Sequence, residues 1–293
     1  MSKTLLIYDR AVPVTRKQHG NWGVKVGSNF SFARDVNSMP LLAQEFRSAV
    51  REYPIVFVGT EERVLPAVLL ALGDDENLFV DDAGVWNSQY IPAFARRYPY
   101  VFSSTDEGKT LTLCLDEDFS GFNRDGEGER LFTEDGEQTP YMQGVLAFQK
   151  EYKQNFDRTA MFCKNLQELN LLDPMQAQLK LSNGKETSIT GFMTVNRDRL
   201  KEVSAERLSQ LARVDELELI YLHLQSLRNI TDLGNRIKPA SGEVTPALEK
   251  DDEADQATHD TSTNVVEGTA KKKKAPGKKK SASAERKTEE KAS

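Results

Sequence analysis

The residues of this chain best suited to chemistry are carboxylates on turns and arginines set among aromatic rings. Asp116, Glu117 and Asp118 directly follow an apolar run and open a long glycine-bearing stretch, 120–139. Clustered carboxylates on loops can hold Ca²⁺ through oxygen ligands, and a pair at a fixed separation can do acid–base work. The spacing fits neither. Three consecutive acids lack the alternating pattern and the following Gly of an EF-hand loop, and nothing sets a carboxylate separation. Solvated turn acids pairing with Arg96 and Arg97 are the plainer reading. The second cluster is Trp86, Tyr90, Phe94, Tyr98 and Tyr100 around Arg96 and Arg97. Large aromatics dominate burial, so a core with a helix rim accounts for it. Its functional reading is a groove for an extended peptide or a glycan, since aromatic faces and arginines suit both.

Histidine is scarce: His19, His223 and His259. His223 lies beside the apolar stripe of an expected helix, where packing or a hydrogen bond is the plain role. Neither H-E-x-x-H nor C-x-x-C occurs to supply metal ligands. Cys114 and Cys163 are flanked by apolar residues, which points to buried free thiols. Asp116 near Cys114 would also raise that thiol's pKa and oppose a nucleophilic role. The G-x-S-x-G elbow, the phosphate-binding loop and the dinucleotide fingerprint are missing too. The expectation is therefore no catalytic residue, no metal and no cofactor. Trp86, Tyr90, Arg96, Arg97, Asp116, Asp118 and His223 are the binding candidates.

The elements that must position these residues follow from pattern. A short strand is expected around Gly23–Val26. A helix is expected from about Pro40 to Glu52, because Leu42, Phe46 and Val50 recur every four residues. Ile55–Val58 reads as a buried strand. Val64–Leu72 is a second, with Pro66 demanding an edge or bulge. Leu78–Val80 is a third, and Gln89–Arg97 reads as a helix. Tyr100–Phe102 and Leu111–Leu115 flank Asp106-Glu107-Gly108 as a hairpin, and 120–139 reads as a long polar loop. Tyr141 to Leu169 carries the strongest helical period, as one long helix or two broken near Asp157. Asn183-Gly184 marks a hairpin between Gln178–Leu181 and Thr187–Val195. Helices at about Ala205–Leu211, capped by Ser204, and Asp215–Leu233 complete the order.

The 293 residues are 38% apolar with net charge −6. From Lys238 onward there is no aromatic residue. Residues 241–268 hold eight acids against one base, and 270–293 hold ten bases against three acids. Such a two-block polyampholyte cannot bury enough apolar surface to fold. The run Lys271–Lys280 could make a weak contact with an anionic polymer, without the aromatics that stack on bases. No signal-peptide pattern and no apolar run near ~20 residues is present, so a soluble cytoplasmic protein without a membrane span is expected.

The blocks YPIVFVG, VLPAVLLALGDDENLFVDDAGVW, YIPAFARRYPYVF, CLDEDFSGF and GERLFTEDGEQTPYM, followed by LELIYLHLQSLRNI, resemble the SapC family over roughly residues 10–235. That family is named for association with bacterial surface layers. The resemblance implies a bacterial protein linked to surface-layer formation or the cell envelope, and it implies no catalytic mechanism. The expected architecture is an α+β domain over 1–237, with a short-stranded mixed or antiparallel sheet and a helical C-terminal half. A disordered charged tail, 238–293, follows. The expected function is that of a non-enzymatic accessory or interaction protein with a protein or peptide partner. Two alternatives are an enzyme modifying an envelope protein or peptide through the acidic loop Asp116–Asp125, and a nucleic-acid-associated protein acting through the tail.

Overall fold

The computed structural model describes residues 6–237 apart from 61, 74–75, 107–108 and 181–185. The chain divides into two units, Met1–Gly242 and Glu243–Ser293, and the fold below is that of the first. The expected tail, with its Lys271–Lys280 contact, lies outside the described residues, as does the Asn183-Gly184 turn.

In chain order the elements begin with β1 (Ala11–Pro13), the single turn α1 (Arg16–His19) and β2 (Gly23–Val24). Next come β3 (Ser38–Pro40), α2 (Phe46–Ala49), β4 (Ile55–Gly59) and β5 (Val64–Leu69). The middle of the chain supplies α3 (Ala93–Arg96), β6 (Tyr100–Ser103), β7 (Thr112–Asp116), β8 (Phe122–Asn123) and β9 (Glu129–Arg130). The last part holds α4 (Pro140–Glu168), β10 (Leu172–Lys180), β11 (Glu186–Val195), α5 (Arg197–Glu202), α6 (Ala205–Arg213), α7 (Glu216–Ser226) and α8 (Asn229–Arg236). This is an α+β architecture of antiparallel sheets with a largely helical C-terminal half.

The central sheet has the order β10-β11-β4-β5-β3. Ile55, Val56 and Phe57 are all buried. A strand covered on both faces reads as a continuous apolar run, and α4 packs on β5 while α7 packs on β4 and β11. β5 lies between β4 and β3, so Pro66 is not on an outer strand. Its carbonyl accepts from Leu41 N–H at 2.9 Å, just past the last β3 pair, Pro40 with Ala67. A strand residue's N–H and C=O point to the same side. The donor that Pro66 lacks therefore falls where β3 runs out, a local edge inside the sheet.

Several expected elements come out differently. Pro40 ends β3, and the helix expected from it is a 3-10 turn, Ala43–Glu45, running into the short α2. Side chains take over the turn's donors: Glu45 accepts from Leu42 N–H at 2.8 Å, and Thr159 accepts from Ala43 N–H at 2.9 Å. Leu78–Val80 is only a bridge between Val80 and Trp86. The expected 89–97 helix is confined to α3, because Pro92 is extended and disfavours a helical Ile91. The 120–139 loop carries β8 and β9, which flank β2 in a small sheet. Gly23 pairs with both Asn123 and Arg130, and a Cβ there would collide with the Glu127 carbonyl. α4 is unbroken at Asp157, which sits on its exposed face paired with Lys153. Thr139 caps it, accepting from Met142 N–H, with Pro140 at its first position. The 215–233 helix is two, α7 and α8, separated between Ser226 and Asn229.

Candidate functional site

A large cleft lies where the central sheet meets β6 beneath α4. It encloses about 680 Å³. β3, β4 and β5 contribute Met39, Val58 and Leu65. β6 adds Phe102, α4 adds Tyr152 and Phe156, and Arg97 follows α3. The corner that carries Arg97 is held by three hydrogen bonds from two side chains. The buried Gln149 amide donates to the carbonyls of Arg97 at 3.3 Å and Tyr100 at 2.9 Å. The Tyr8 hydroxyl donates to the Tyr100 carbonyl at 2.7 Å.

The Arg97 guanidinium lies 4.4 Å from the Phe94 ring centroid, 4.6 Å from Tyr152 and 5.7 Å from Tyr8. Cation–π attraction therefore holds the charge at the wall. Its Nε is buried without a hydrogen-bond partner. Among the described residues the ion pairs engage Arg10, His19, Lys25, Arg47, Arg130, Lys153, Lys164, Arg199 and Lys201. Arg97 has no carboxylate partner in that set. Burial pushes the Tyr152 hydroxyl up to about 12 and the Tyr8 hydroxyl higher still, the nearby guanidinium only partly offsetting it. Both phenols stay protonated at neutral pH. Apart from these, the cleft's ionisable lining is Arg63, Arg97 and Lys153, and among the described lining residues there is no Asp, Glu, His or Cys.

Arg96, one residue earlier, is exposed and differently placed. Its Nε donates to the Ile91 carbonyl at 2.9 Å, and it lies 5.8 Å from the Tyr90 ring and 5.5 Å from Phe148. The Tyr90 hydroxyl donates to the buried Glu45 at 2.6 Å, which also accepts from Ala93 N–H at 2.7 Å. Burial pushes the Glu45 carboxyl above its usual range against the pull of these bonds. Trp86 is 6% exposed, and its Nε1–H donates to the Tyr53 hydroxyl at 2.8 Å. It is a core residue with a satisfied polar tip.

The acids stand elsewhere and do not pair with Arg96 or Arg97. Asp116 is fully buried at the end of β7, where it accepts from Asp9 N–H at 2.9 Å and Arg10 N–H at 3.0 Å. Arg10 pairs with Glu117 at 2.8 Å and Asp118 at 3.5 Å. The acidic step thus fastens the N-terminal segment to β7. A second cleft of about 400 Å³ beside it is lined by Arg16, Lys17, Trp22, Glu117 and Arg124 among others.

His223 is fully buried between α7 and the central sheet. Its Nε2 accepts from Val195 N–H at 3.0 Å, so Nδ1–H donates to the Ile55 carbonyl at 2.8 Å. Burial lowers its pKa to about 4, and the ring is neutral at pH 7. Ser226 accepts from Ile55 N–H at 2.9 Å, and the Asn229 amide donates to the carbonyls of Val50 at 2.8 Å and Tyr53 at 3.0 Å. Both cysteines are buried free thiols, and burial pushes Cys163 up to about 12. Among the described residues no group of three or more His, Cys, Asp or Glu could hold a metal ion. Nor is any helix among them long and apolar enough to cross a membrane.

The sequence candidates therefore fall into separate places. Tyr90 and Arg96 share one network, Arg97 faces the large cleft, Asp116 and Asp118 hold the N-terminal segment, and Trp86 and His223 are core. The large cleft also depends on Gln149, Tyr152 and Phe156, which the sequence marks only as parts of a helical stripe. Gln149 is the available signal, a polar residue on the buried face of that stripe.

A family model described as SapC matches residues 14–233. The chain belongs to the SapC family. The match spans the central sheet, Arg97, the α4 wall and the Asp116 step, while Asp9 and Arg10 precede it. No curated protein and no solved structure matches the chain.

Proposed function

We propose that this SapC-family chain is a binding protein and not an enzyme. It serves as an accessory in bacterial surface-layer or cell-envelope biogenesis, working from the cytoplasmic side on a protein or peptide partner. The observation that carries the reading is the Arg97 cleft. It offers apolar walls and a cation lacking a carboxylate partner among the described residues, and its described lining holds no carboxylate, imidazole or thiol to act as base or nucleophile. The groups that could do chemistry are used structurally: Asp116 by backbone N–H groups and His223 by two strands. Among the described residues, neither the Arg97 cleft nor any of three smaller clefts joins Asp116 or Asp118 to His223 or Arg96, as an enzyme built on the acidic loop would need.

Replacement of the gene in its bacterial host tests this. Leu65→Glu places a carboxylate on the cleft wall and Arg97→Gln removes the charge. Both should reduce surface-layer or envelope assembly, read by cell fractionation, as strongly as deletion does. Asp118→Asn should leave assembly intact, since Asp118 is 52% exposed and, among the described residues, forms its ion pair with Arg10 alone. Assembly lost with Asp118→Asn and kept with Arg97→Gln would favour an enzyme acting through the acidic loop.

A further inference from the structure

The ligand of the Arg97 cleft can be narrowed by what its walls are able to satisfy, taking the cleft as the ligand site proposed above and leaving the protein or peptide partner to the rest of the chain's surface. An extended peptide brings an N–H and a C=O at each residue, and burying them unpaired costs free energy. Much of the polar capacity along the cleft is committed. Gln149 donates to two backbone carbonyls, and Lys153 pairs with Asp157 at 2.6 Å. The outer strand β3 ends in Pro40, which has no N–H to give an added strand. The rest is mostly hydrocarbon: Val58, Leu65, Pro66, Val101, Phe102 and Phe156. Such walls suit a methylene chain, which needs no hydrogen bonds along its length.

Positive charge is fixed at Arg97. A guanidinium is a planar fork that matches a carboxylate with two parallel hydrogen bonds. The rings of Phe94 and Tyr152 flank it and limit its rotamers, so less entropy is lost when it binds. We propose that the cleft binds an unbranched alkyl carboxylate, a fatty-acid-type amphiphile, with Arg97 on the carboxylate and the apolar walls along the chain. Its volume of about 680 Å³ suits a small amphiphile, being within the roughly 300–1,000 Å³ of small-molecule sites.

Calorimetry on the full chain at neutral pH, with octanoate, decanoate and dodecanoate below micelle formation, tests the proposal. Affinity should rise about threefold to fourfold for each added methylene. Dodecanol should bind at least about tenfold more weakly than dodecanoate. Dodecyltrimethylammonium, with the opposite charge, should bind more weakly still, a comparison that needs no variant. Arg97→Gln, with folding checked by melting, should bring dodecanoate down to the dodecanol level and leave dodecanol unchanged. Equal binding of dodecanoate and dodecanol, unmoved by Arg97→Gln, overturns the proposal. An apolar hexapeptide with a free C-terminus that binds through Arg97 where dodecanoate does not overturns the acyl assignment and leaves the cleft as the binding site. If neither probe binds the wild-type chain, both readings fall.

Discussion

The seam between α7–α8 and β4 and the cleft beside Arg97 both place polar groups against hydrocarbon, with opposite results. At the seam, His223, Ser226 and Asn229 each find backbone partners on the sheet or the chain leading into it. At the cleft, Arg97 stacks on aromatic rings but has no carboxylate among the described residues, and its Nε is buried without a partner. Buried polar groups in a folded chain are normally satisfied. The seam obeys that rule and is explained by folding. The cleft departs from it, as do His19 Nε2, Arg34 Nε, the Tyr100 hydroxyl and Arg130 Nε elsewhere; at Arg97 the departure coincides with an open apolar volume, which is the ground of the proposal above. Burial or an aromatic neighbourhood alone does not separate the two; the completeness of the hydrogen bonding does.

The largest expected effect sits at the seam. His223→Ala removes the partner of Val195 N–H and the shorter of the two side-chain hydrogen bonds to the Ile55 carbonyl, and leaves a cavity. Denaturant unfolding should show a loss of about 3 to 5 kcal/mol. Trp86→Ala should cost a similar ~3–5 kcal/mol, since Trp86 fills the core against Tyr53 and Phe30. A Trp86→Ala chain of wild-type stability that lost a partner would make Trp86 a surface anchor instead.

The pH dependence is the next largest. The His223 pKa is lowered in the folded state to about 4 from an ordinary 6.5. The unfolded chain therefore takes up the proton first. The stability from the neutral ring is fully present above pH 6.5 and is lost as pH falls through the folded value. The loss amounts to roughly 3 kcal/mol at most, because each tenfold difference in proton affinity between the folded and unfolded chain is worth about 1.4 kcal/mol. Glu45 works the other way, because its raised pKa favours folding as pH falls. The measurement is the difference in unfolding free energy between wild type and His223→Gln from pH 7 to pH 4. That difference should shrink as pH falls, and a constant difference would place the imidazole in contact with water.

Asp116→Asn should be milder. An amide keeps one acceptor oxygen where the carboxylate serves both Asp9 and Arg10 N–H groups. A cost of about 1–2 kcal/mol is expected in thermal or denaturant unfolding. Added Ca²⁺ should leave the melting temperature of the wild-type chain unchanged. A Ca²⁺-dependent rise that vanished in Asp118→Asn would move the acidic step from structure to ligand binding.

Much of the frame was legible in sequence. β4 announced itself as a buried β-branched and aromatic run, α4 as a long apolar period, and the β6–β7 pair as apolar runs about a turn. Family membership was legible in the ordered blocks from Tyr53 to Ile230. What hid was decided by tertiary partners. Pro40 looked like a helix start because nothing local says that Ala67 will pair with it. Glu45 falls inside the stretch expected as a helix from Pro40 to Glu52, and nothing local says that Tyr90 and the Ala93 N–H close over it. Arg96 and Arg97 were indistinguishable as neighbours in one aromatic stretch. They separate only when α3 ends and α4 brings Gln149 and Tyr152 across to the second of them. The cleft gathers residues from Met39 to Phe156, so no local window contains it.

On the reading proposed above, Arg97 is held for a ligand and not for the fold. The most direct test of that reading is thermal unfolding of wild type and Arg97→Gln, each with and without dodecanoate. Losing the ring stacking costs stability, while removing a partly desolvated charge offsets it, so the free variant should stay within about 1 kcal/mol of wild type. Dodecanoate should raise the melting temperature of wild type, as a ligand of the folded state does, and raise that of the variant much less. A variant destabilised by several kcal/mol that still responds to dodecanoate as wild type does would contradict the account and make Arg97 part of the scaffold.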